Sequence, residues 1–220
     1  MFTAKPASLA TLPDLVFLTE KGTVKRSLAA DYDVRSKKYA TVSLREKDGL
    51  LGILFASNGE DLLLVSRDGM SIRFPVDDIP VQGRIAGGVK GMTLEPGDQV
   101  SVFGKIGPED EVTVFSERGW GKKIPQMDFE QQHRGGKGLR AFFFNRNGSN
   151  GRYIAGLCIA PSNRPYDLLV RQVHTPETIL SGSEVLLQGR AGKGMPYVMA
   201  IMDDTVTDVD YEFKPIDPEV

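Results

Sequence analysis

Two cations and three glycines lie within seven consecutive residues past the middle of the chain. The segment reads Gln132, His133, Arg134, Gly135, Gly136, Lys137, Gly138. Glycines let a backbone turn sharply and approach another surface closely. Consecutive N–H groups in such a turn can form an anion-binding concavity, to which Arg and Lys add full charges. The composition therefore suits a phosphate group, and a solvated surface turn of the same composition is the alternative interpretation.

The overall composition is that of an ordinary globular protein. Of 220 residues, 40% are hydrophobic and 25% are charged, and no apolar run approaches the ~18 residues needed to span a bilayer. The formal net charge of -2 argues against a uniformly basic nucleic-acid binder, but allows one whose cations are gathered on one edge. Cys158 is the single cysteine, so no disulfide can form within the chain, and its apolar setting predicts a core residue. These features predict a cytoplasmic protein with no membrane segment.

The chain contains four repeats, each of which opens with an acidic residue, an apolar run and a turn. The acidic residues are Asp14, Asp61, Glu111 and Asp167, spaced by 47, 50 and 56 residues, as the blades of a β-propeller are. The repeats predicted from this spacing cover residues 14–60, 61–110, 111–166 and 167–213. We interpret residues 1–13 as a leader and residues 214–220 as a charged tail.

Short apolar segments separated by turn dipeptides predict strands along the whole chain. The runs after the acidic residues are rich in β-branched or aromatic residues, and glycine-containing turns follow them. Further predicted strands include 41–44, 50–56, 139–144 and 197–202. No stretch shows helical periodicity over three turns. The sequence therefore predicts an all-β, propeller-like fold of about four four-stranded sheets that stack on their neighbours.

Cations recur at matched positions in these repeats. Eleven and twelve residues after the opening acid stand Lys25, Arg26, Arg73, Lys122 and Lys123, and 23 residues after it stand Lys37, Arg84, Arg134 and Arg190. Lys137 and Lys193 then each precede a glycine. We interpret Lys90 as the same lysine displaced by three residues in the second repeat, and Lys38 as its counterpart in the first.

A curved edge that carries cations at equal intervals would follow a polyanion. Duplex DNA is the natural candidate, because its phosphates are regularly spaced and can be contacted without reading the sequence. Charge that discourages pairing at a solvated sheet edge is the alternative, although such an edge would accept either sign. No recognition helix or ladder of aromatic residues suggests base readout.

No catalytic or metal-binding arrangement stands out in the sequence. Lys137 and Lys193 are followed by glycine where a nucleotide P-loop requires Ser or Thr. The two histidines, His133 and His174, lie in different repeats, which argues against a histidine-based metal site. We expect no cofactor, no metal and no small-molecule ligand.

The central segment resembles a known family signature. Residues 132–138 match six of the seven positions of the Gln-Arg-Arg-Gly-Gly-Lys-Gly box in the C-terminal DNA-wrapping domain of the bacterial DNA gyrase A protein. The element Thr19–Arg26, with its echoes in later repeats, resembles the blade signature of that domain and of its topoisomerase IV counterpart. The resemblance covers roughly residues 14–213.

The resemblance implies a β-pinwheel, a propeller-like disc whose neighbouring blades exchange strands and whose basic rim bends DNA. It implies a bacterial, nucleoid-associated domain that works with the catalytic core of a type II topoisomerase and, indirectly, with its ATPase subunit. The implied rim residues are the cations named above together with the seven box residues. The family's catalytic tyrosine and ATPase domain have no counterpart here, so the chain by itself is expected not to cut or rejoin DNA.

Three departures from the family pattern keep alternatives open. Four repeats are present where the family usually has five or six blades, the box lies in the third repeat instead of the first, and His133 replaces an arginine. Gyrase-like and topoisomerase IV-like roles therefore both remain open, as does the question of whether the chain is a fragment. A propeller that binds a protein and has lost DNA wrapping is the second hypothesis. An enzyme with a site at the disc centre is a third.

Overall fold

The computed structural model describes residues 9–34 and 39–215. The described residues form fifteen strands and five short 3-10 helices, and none of these helices is long and apolar enough to cross a membrane. The strands are β1 (Asp14–Thr19), β2 (Thr23–Ser27), β3 (Leu50–Ala56), β4 (Asp61–Ser66), β5 (Met70–Pro75), β6 (Val89–Lys90), β7 (Val100–Ile106), β8 (Asp110–Ser116), β9 (Trp120–Pro125), β10 (Leu139–Arg140), β11 (Ile154–Pro161), β12 (Tyr166–Gln172), β13 (Thr178–Ser181), β14 (Met195–Pro196) and β15 (Val206–Phe213). The 3-10 helices are Leu9–Thr11, Ala29–Tyr32, Val76–Asp78, Gln126–Asp128 and Gly182–Glu184.

The strands form four antiparallel sheets, as the sequence predicts. Their strand orders are β3-β1-β2-β6 in sheet 1, β7-β4-β5-β10 in sheet 2, β11-β8-β9-β14 in sheet 3 and β15-β12-β13 in sheet 4. The prediction of an all-β, propeller-like fold of about four blades is therefore confirmed. Sheet 4 has three strands within the described part of the chain, one fewer than each of the others.

Neighbouring repeats exchange a strand. The two-residue strand β6 belongs to the second repeat but pairs with β2 of sheet 1, where Lys90 lies opposite Thr23. In the same way β10 of the third repeat pairs with β5, and β14 of the fourth repeat pairs with β9. Each of the first three sheets is therefore completed by the repeat that follows it, as the family resemblance implies.

The two edges of each sheet differ in position. The edge strands β3, β7, β11 and β15 contact one another in succession, so this edge, which we call the central edge, lies towards the centre of the arc. Glycines permit the close approach, because a Cβ on Gly52 or Gly104 would come within 3.0 Å of the side chain of Phe103 or Ile159 on the next strand. The exchanged strands β6, β10 and β14 occupy the opposite edge, which we call the peripheral edge.

Three hydrophobic clusters join the sheets. The first lies between sheets 1 and 2, the second between sheets 2 and 3, and the third between sheets 3 and 4. Cys158 lies in the third cluster and is 3% exposed, so the predicted core position is confirmed. Burial raises the pKa of its thiol to about 12, which leaves it protonated and unreactive near neutrality.

Strand lengths after the glycine-rich turns are shorter than predicted. The segments 41–44 and 197–202 are not strands, and the predicted strand at 139–144 shrinks to Leu139–Arg140. The reason is visible at Ala141 and Phe142, whose N–H groups both donate to the carbonyl of Gly69 in a hairpin turn. The chain leaves the sheet there, and its apolar residues pack into the core instead of extending the strand.

Candidate nucleic-acid interface

The box segment is one of three equivalent loops. These loops comprise residues 82–88, 132–138 and 188–194. Each begins with a glutamine whose N–H donates at 2.8 Å to a backbone carbonyl of the preceding sheet, that of Arg26, Arg73 or Lys123 respectively. Each loop ends with a glycine at positive φ. The loops have equal length, so Gly87 replaces the lysine in the second repeat. The interpretation of Lys90 as a displaced copy of that lysine is therefore wrong, since Lys90 is the counterpart of Arg140.

The box backbone serves as a clamp between repeats. The N–H of Gly135 donates to the carbonyl of Gly91 at 2.6 Å, and Thr93 donates to the carbonyls of Gly135 and Gly136 at 2.7 and 2.8 Å. The N–H of Gln132 is likewise used. An anion-binding concavity built from the Gln132 and Gly135 N–H groups is therefore not what the structure shows, because carbonyl oxygens already occupy both donors.

The arginine at the third position of each loop is directed at the backbone of the preceding repeat. Arg84 donates to the carbonyl of Asp31 at 3.1 Å, and Arg190 donates to that of Arg140 at 2.9 Å. Arg134 donates to the carbonyls of Asp78 at 2.7 Å and Lys90 at 3.0 Å. All three side chains are half-buried. Their role in the structure is thus to fix the loops.

Lys25 and Lys122 lie inside the protein, so their predicted place on an exposed rim is wrong. Lys25 is 1% exposed, and its ammonium donates to the carbonyls of Thr41 and Arg84. Lys122 is 0% exposed and donates to the carbonyls of Gly189 at 2.9 Å and Arg190 at 2.5 Å. Each lysine therefore anchors, from the interior, the loop of the following repeat that is equivalent to the box segment.

Burial lowers the pKa of both lysines. For Lys122 the loss of hydration, reinforced by the positive charge of Arg190 and opposed by Asp128, brings the pKa to about 7. For Lys25 the direction is the same and burial is again the main cause. Buried ammonium groups with carbonyl partners are structural groups, and they are not available to phosphates.

Replacing Lys122 by methionine should change how stability depends on pH. The folded-state pKa of about 7 lies below the unfolded value of ~10.4, so between these pH values the unfolded chain holds more protons. Lys122 therefore makes the free energy of unfolding rise with pH across this window, and that rise should be absent from the variant. Denaturant unfolding at pH 7 to 9.5 measures the difference, and Lys105→Met, at an exposed lysine, is the control. Parallel curves for wild type and Lys122→Met would contradict the assignment.

Arg26, Arg73 and Lys123 are paired with the acids that open the repeats. The ion pairs join Arg26 to Asp14 at 2.6 Å, Arg73 to Asp61 at 2.7 Å and Lys123 to Glu111 at 2.8 Å. Arg26 and Lys123 are buried and Arg73 is half-buried. The predicted rim position is wrong for these three as well, because the cation at offset twelve recurs to neutralise the acid at offset zero.

The exposed cations of the predicted set lie on the peripheral edge. Lys90, Lys137 and Lys193 are exposed, as is Arg140, which is not among the predicted residues. Lys90, Arg140 and Lys193 have no ion pair within residues 9–34 and 39–215. Arg140 could have been identified from the sequence, because it follows Gly138 by two residues, just as Lys90 follows Gly88.

Lys137 and His133 each have an acidic neighbour. Lys137 Nζ lies 2.9 Å from Glu95 Oε1, and both side chains are exposed. This hydrogen bond raises the pKa of Lys137 and lowers that of Glu95. Exposed pairs of this kind contribute little to stability, so a phosphate can replace the carboxylate. His133 Nδ1 lies 3.3 Å from Asp78 at the surface.

Additional surface cations continue the peripheral edge. Lys21 and Arg45 line an open groove together with Lys90, and Lys137 and Arg140 line the equivalent groove in the next repeat.

The third groove contains Arg118, with Trp120 and Tyr197 among its lining residues. Pro196 stands there in place of the Lys90 or Arg140 cation. Lys37 and Lys38 lie outside the described residues.

Comparison with known proteins agrees with this architecture. The chain matches the family described as "DNA gyrase C-terminal domain, beta-propeller" over residues 13–57, 60–103 and 110–147. It is 33% identical over 199 residues to the DNA gyrase A protein of Staphylococcus aureus strains MRSA252 and COL, a match that covers 89% of this chain and 22% of the relative. The chain thus spans about a fifth of the length of these relatives.

Solved structures show the same fold. The C-terminal domain of DNA topoisomerase IV superposes with a TM-score of 0.86 at 20% identity, covering 93% of this chain and 63% of that one. The DNA gyrase A C-terminal domain gives 0.81 at 19% identity, covering 93% and 67%. The E. coli ParC C-terminal domain gives 0.70 at 17%, covering 93% and 83%. Taken together with the family match, these results establish that the chain belongs to the DNA gyrase C-terminal domain family of β-propellers.

Proposed function

We propose that this domain binds and bends duplex DNA along its peripheral edge, without sequence preference, as the non-catalytic accessory domain of a bacterial type II topoisomerase of the gyrase A or topoisomerase IV kind. The observation that carries the proposal is the set of four exposed cations on successive repeats, Lys90, Lys137, Arg140 and Lys193. Family membership supports the topoisomerase context. Its partners would be duplex DNA and the catalytic core, and it would work in the bacterial nucleoid.

The distribution of charge makes the proposal compatible with a net charge of -2. The acids that open the first three repeats are paired with inward cations. Of the four cations on the peripheral edge, Lys90 and Lys193 have no ion pair in the described part of the chain. Lys137 is paired with Glu95, and Asp68 lies near enough to Arg140 to interact with it electrostatically. A phosphate backbone that follows this edge therefore meets positive charge in spite of the acidic total.

Replacing Lys90, Lys137, Arg140 and Lys193 together by alanine should weaken DNA binding strongly. Each lost phosphate contact removes about 0.9 from the log–log salt slope, so the slope should become shallower by roughly 3 to 4. Fluorescence anisotropy with a labelled duplex at several salt concentrations measures both affinity and slope.

Lys105→Ala is the control for this variant. Lys105 is exposed and paired with Glu60 at 3.1 Å, but it lies on β7 at the central edge. Its loss should leave the slope unchanged. Equal affinity and slope in the quadruple variant and the wild type would overturn the assignment of DNA to the peripheral edge. Wild-type binding no stronger than that of a charge-matched unrelated protein would favour the protein-binding propeller.

A further inference from the structure

Phe143 is an exposed aromatic side chain on the peripheral edge. It lies three residues beyond Arg140, just after the exchanged strand β10, and 43% of its surface is exposed. Its N–H donates to the carbonyl of Gly192 at 3.1 Å, which ties its backbone to the box-like loop of the fourth repeat. The backbone of Phe143 is therefore held where two repeats meet.

Two cations of the peripheral edge flank this ring. Arg140 Cζ lies 5.9 Å and Lys193 Nζ 5.5 Å from the ring centroid, both within the range of cation–π attraction. Both cations belong to the edge that we assign to DNA. A partly exposed ring thus lies beside two groups that can each take a phosphate.

The same position is apolar in the next repeat as well. Thr93, Phe143 and Met199 each lie three residues beyond the matched positions Lys90, Arg140 and Pro196 of the exchanged strands. Met199 is 77% exposed. A single exposed apolar residue is ordinary, but large apolar side chains at matched places on a basic edge require a reason.

We propose that Phe143 is a wedge that enters the minor groove of bound duplex DNA and partly unstacks one base step. Arg140 and Lys193 neutralise the phosphates on either side, and Met199 acts in the same way one repeat further on. Proteins that kink DNA use Phe and Met side chains in this manner. Because pyrimidine–purine steps unstack most easily, the wedge adds a preference for DNA that contains TA or CA/TG steps to backbone binding that otherwise does not depend on sequence. This inference rests on the proposed function.

The test compares the wild type with Phe143→Ala, and with Ile53→Ala as the matched control. Ile53 is 48% exposed but lies on β3 at the central edge. Two duplexes are used, one with regularly spaced TA steps and one without pyrimidine–purine steps that are easily kinked. Anisotropy measures affinity, and 2-aminopurine placed next to a TA step reports unstacking through a rise in fluorescence.

The wild type and Ile53→Ala should prefer the TA duplex by about five- to tenfold and raise the 2-aminopurine signal. Phe143→Ala should lose both effects while it keeps the salt slope, and Phe143→Met should retain most of each. Unstacking and preference that persist in Phe143→Ala, or that are absent from a wild type that binds DNA, would refute the wedge and leave the proposed function intact. Failure of the wild type to bind either duplex would overturn both.

Discussion

Replacing Gly138 by alanine should destabilise the domain by about 3 kcal/mol or more. Gly138 has a φ of +73°, a conformation that costs other residues roughly 1 to 2 kcal/mol. A Cβ at this position would also lie closer than 3.0 Å to the carbonyl oxygen of Ser71, which belongs to β5 and cannot move without breaking the sheet. Denaturant unfolding followed by circular dichroism measures the loss.

Gly59→Ala separates the two contributions to this loss. Gly59 has a φ of +80°, and no atom of the described residues lies within 4 Å of the place where its Cβ would be. It should therefore lose only the conformational part, about 1 kcal/mol. Equal losses at the two positions would show that contact between the added Cβ and β5 contributes nothing to the loss at Gly138.

Replacing Arg73 by alanine should reduce stability by about 2 to 4 kcal/mol while DNA affinity stays unchanged. Asp61 is 8% exposed and has Arg73 and Gln131 as its side-chain partners, at 2.7 and 2.9 Å. Loss of Arg73 leaves a buried carboxylate with a single neutral donor. Unfolding and anisotropy measurements under conditions in which the variant is folded give the two quantities.

A double-mutant cycle identifies the source of this loss. Arg73→Ala combined with Asp61→Ala should be more stable than the sum of the single losses predicts, because the double variant leaves neither charge of the pair without its partner. Lys105→Ala, which breaks the exposed pair with Glu60, should cost no more than about 0.5 kcal/mol. A large fall in DNA affinity for folded Arg73→Ala would contradict its inward assignment and restore the rim position.

The spacing of the opening acids was sufficient to predict the sheets. Asp14, Asp61 and Glu111 stand at or beside the first residue of β1, β4 and β8, because each begins a hairpin. The short exchanged strands could not be predicted from local composition. The apolar run after Gly138 reads as one strand, yet tertiary hydrogen bonds to Gly69 end that strand after two residues.

Burial of the recurrent cations was harder to predict, since lysine is rarely found inside proteins. A signal was nevertheless present at offset eleven, where Ile72 takes the place of Lys25 and Lys122. An isoleucine at a matched position indicates an interior site. In the same way, an acid at offset zero with a cation at offset twelve was consistent with a pair across a hairpin. The matched cations at offsets eleven and twelve therefore have a structural role. The exposed cations lie further along each repeat, within or just after the glycine-rich loop.

A topological measurement tests most directly whether DNA follows the peripheral edge. A nicked plasmid is ligated in the presence of increasing amounts of the chain at two salt concentrations, and the linking number is read on a gel. We expect a shift for the wild type that shrinks at higher salt and is lost when Lys90, Lys137, Arg140 and Lys193 are replaced by alanine. No shift and no retardation at low salt, or a shift that the quadruple variant retains in full, would contradict it.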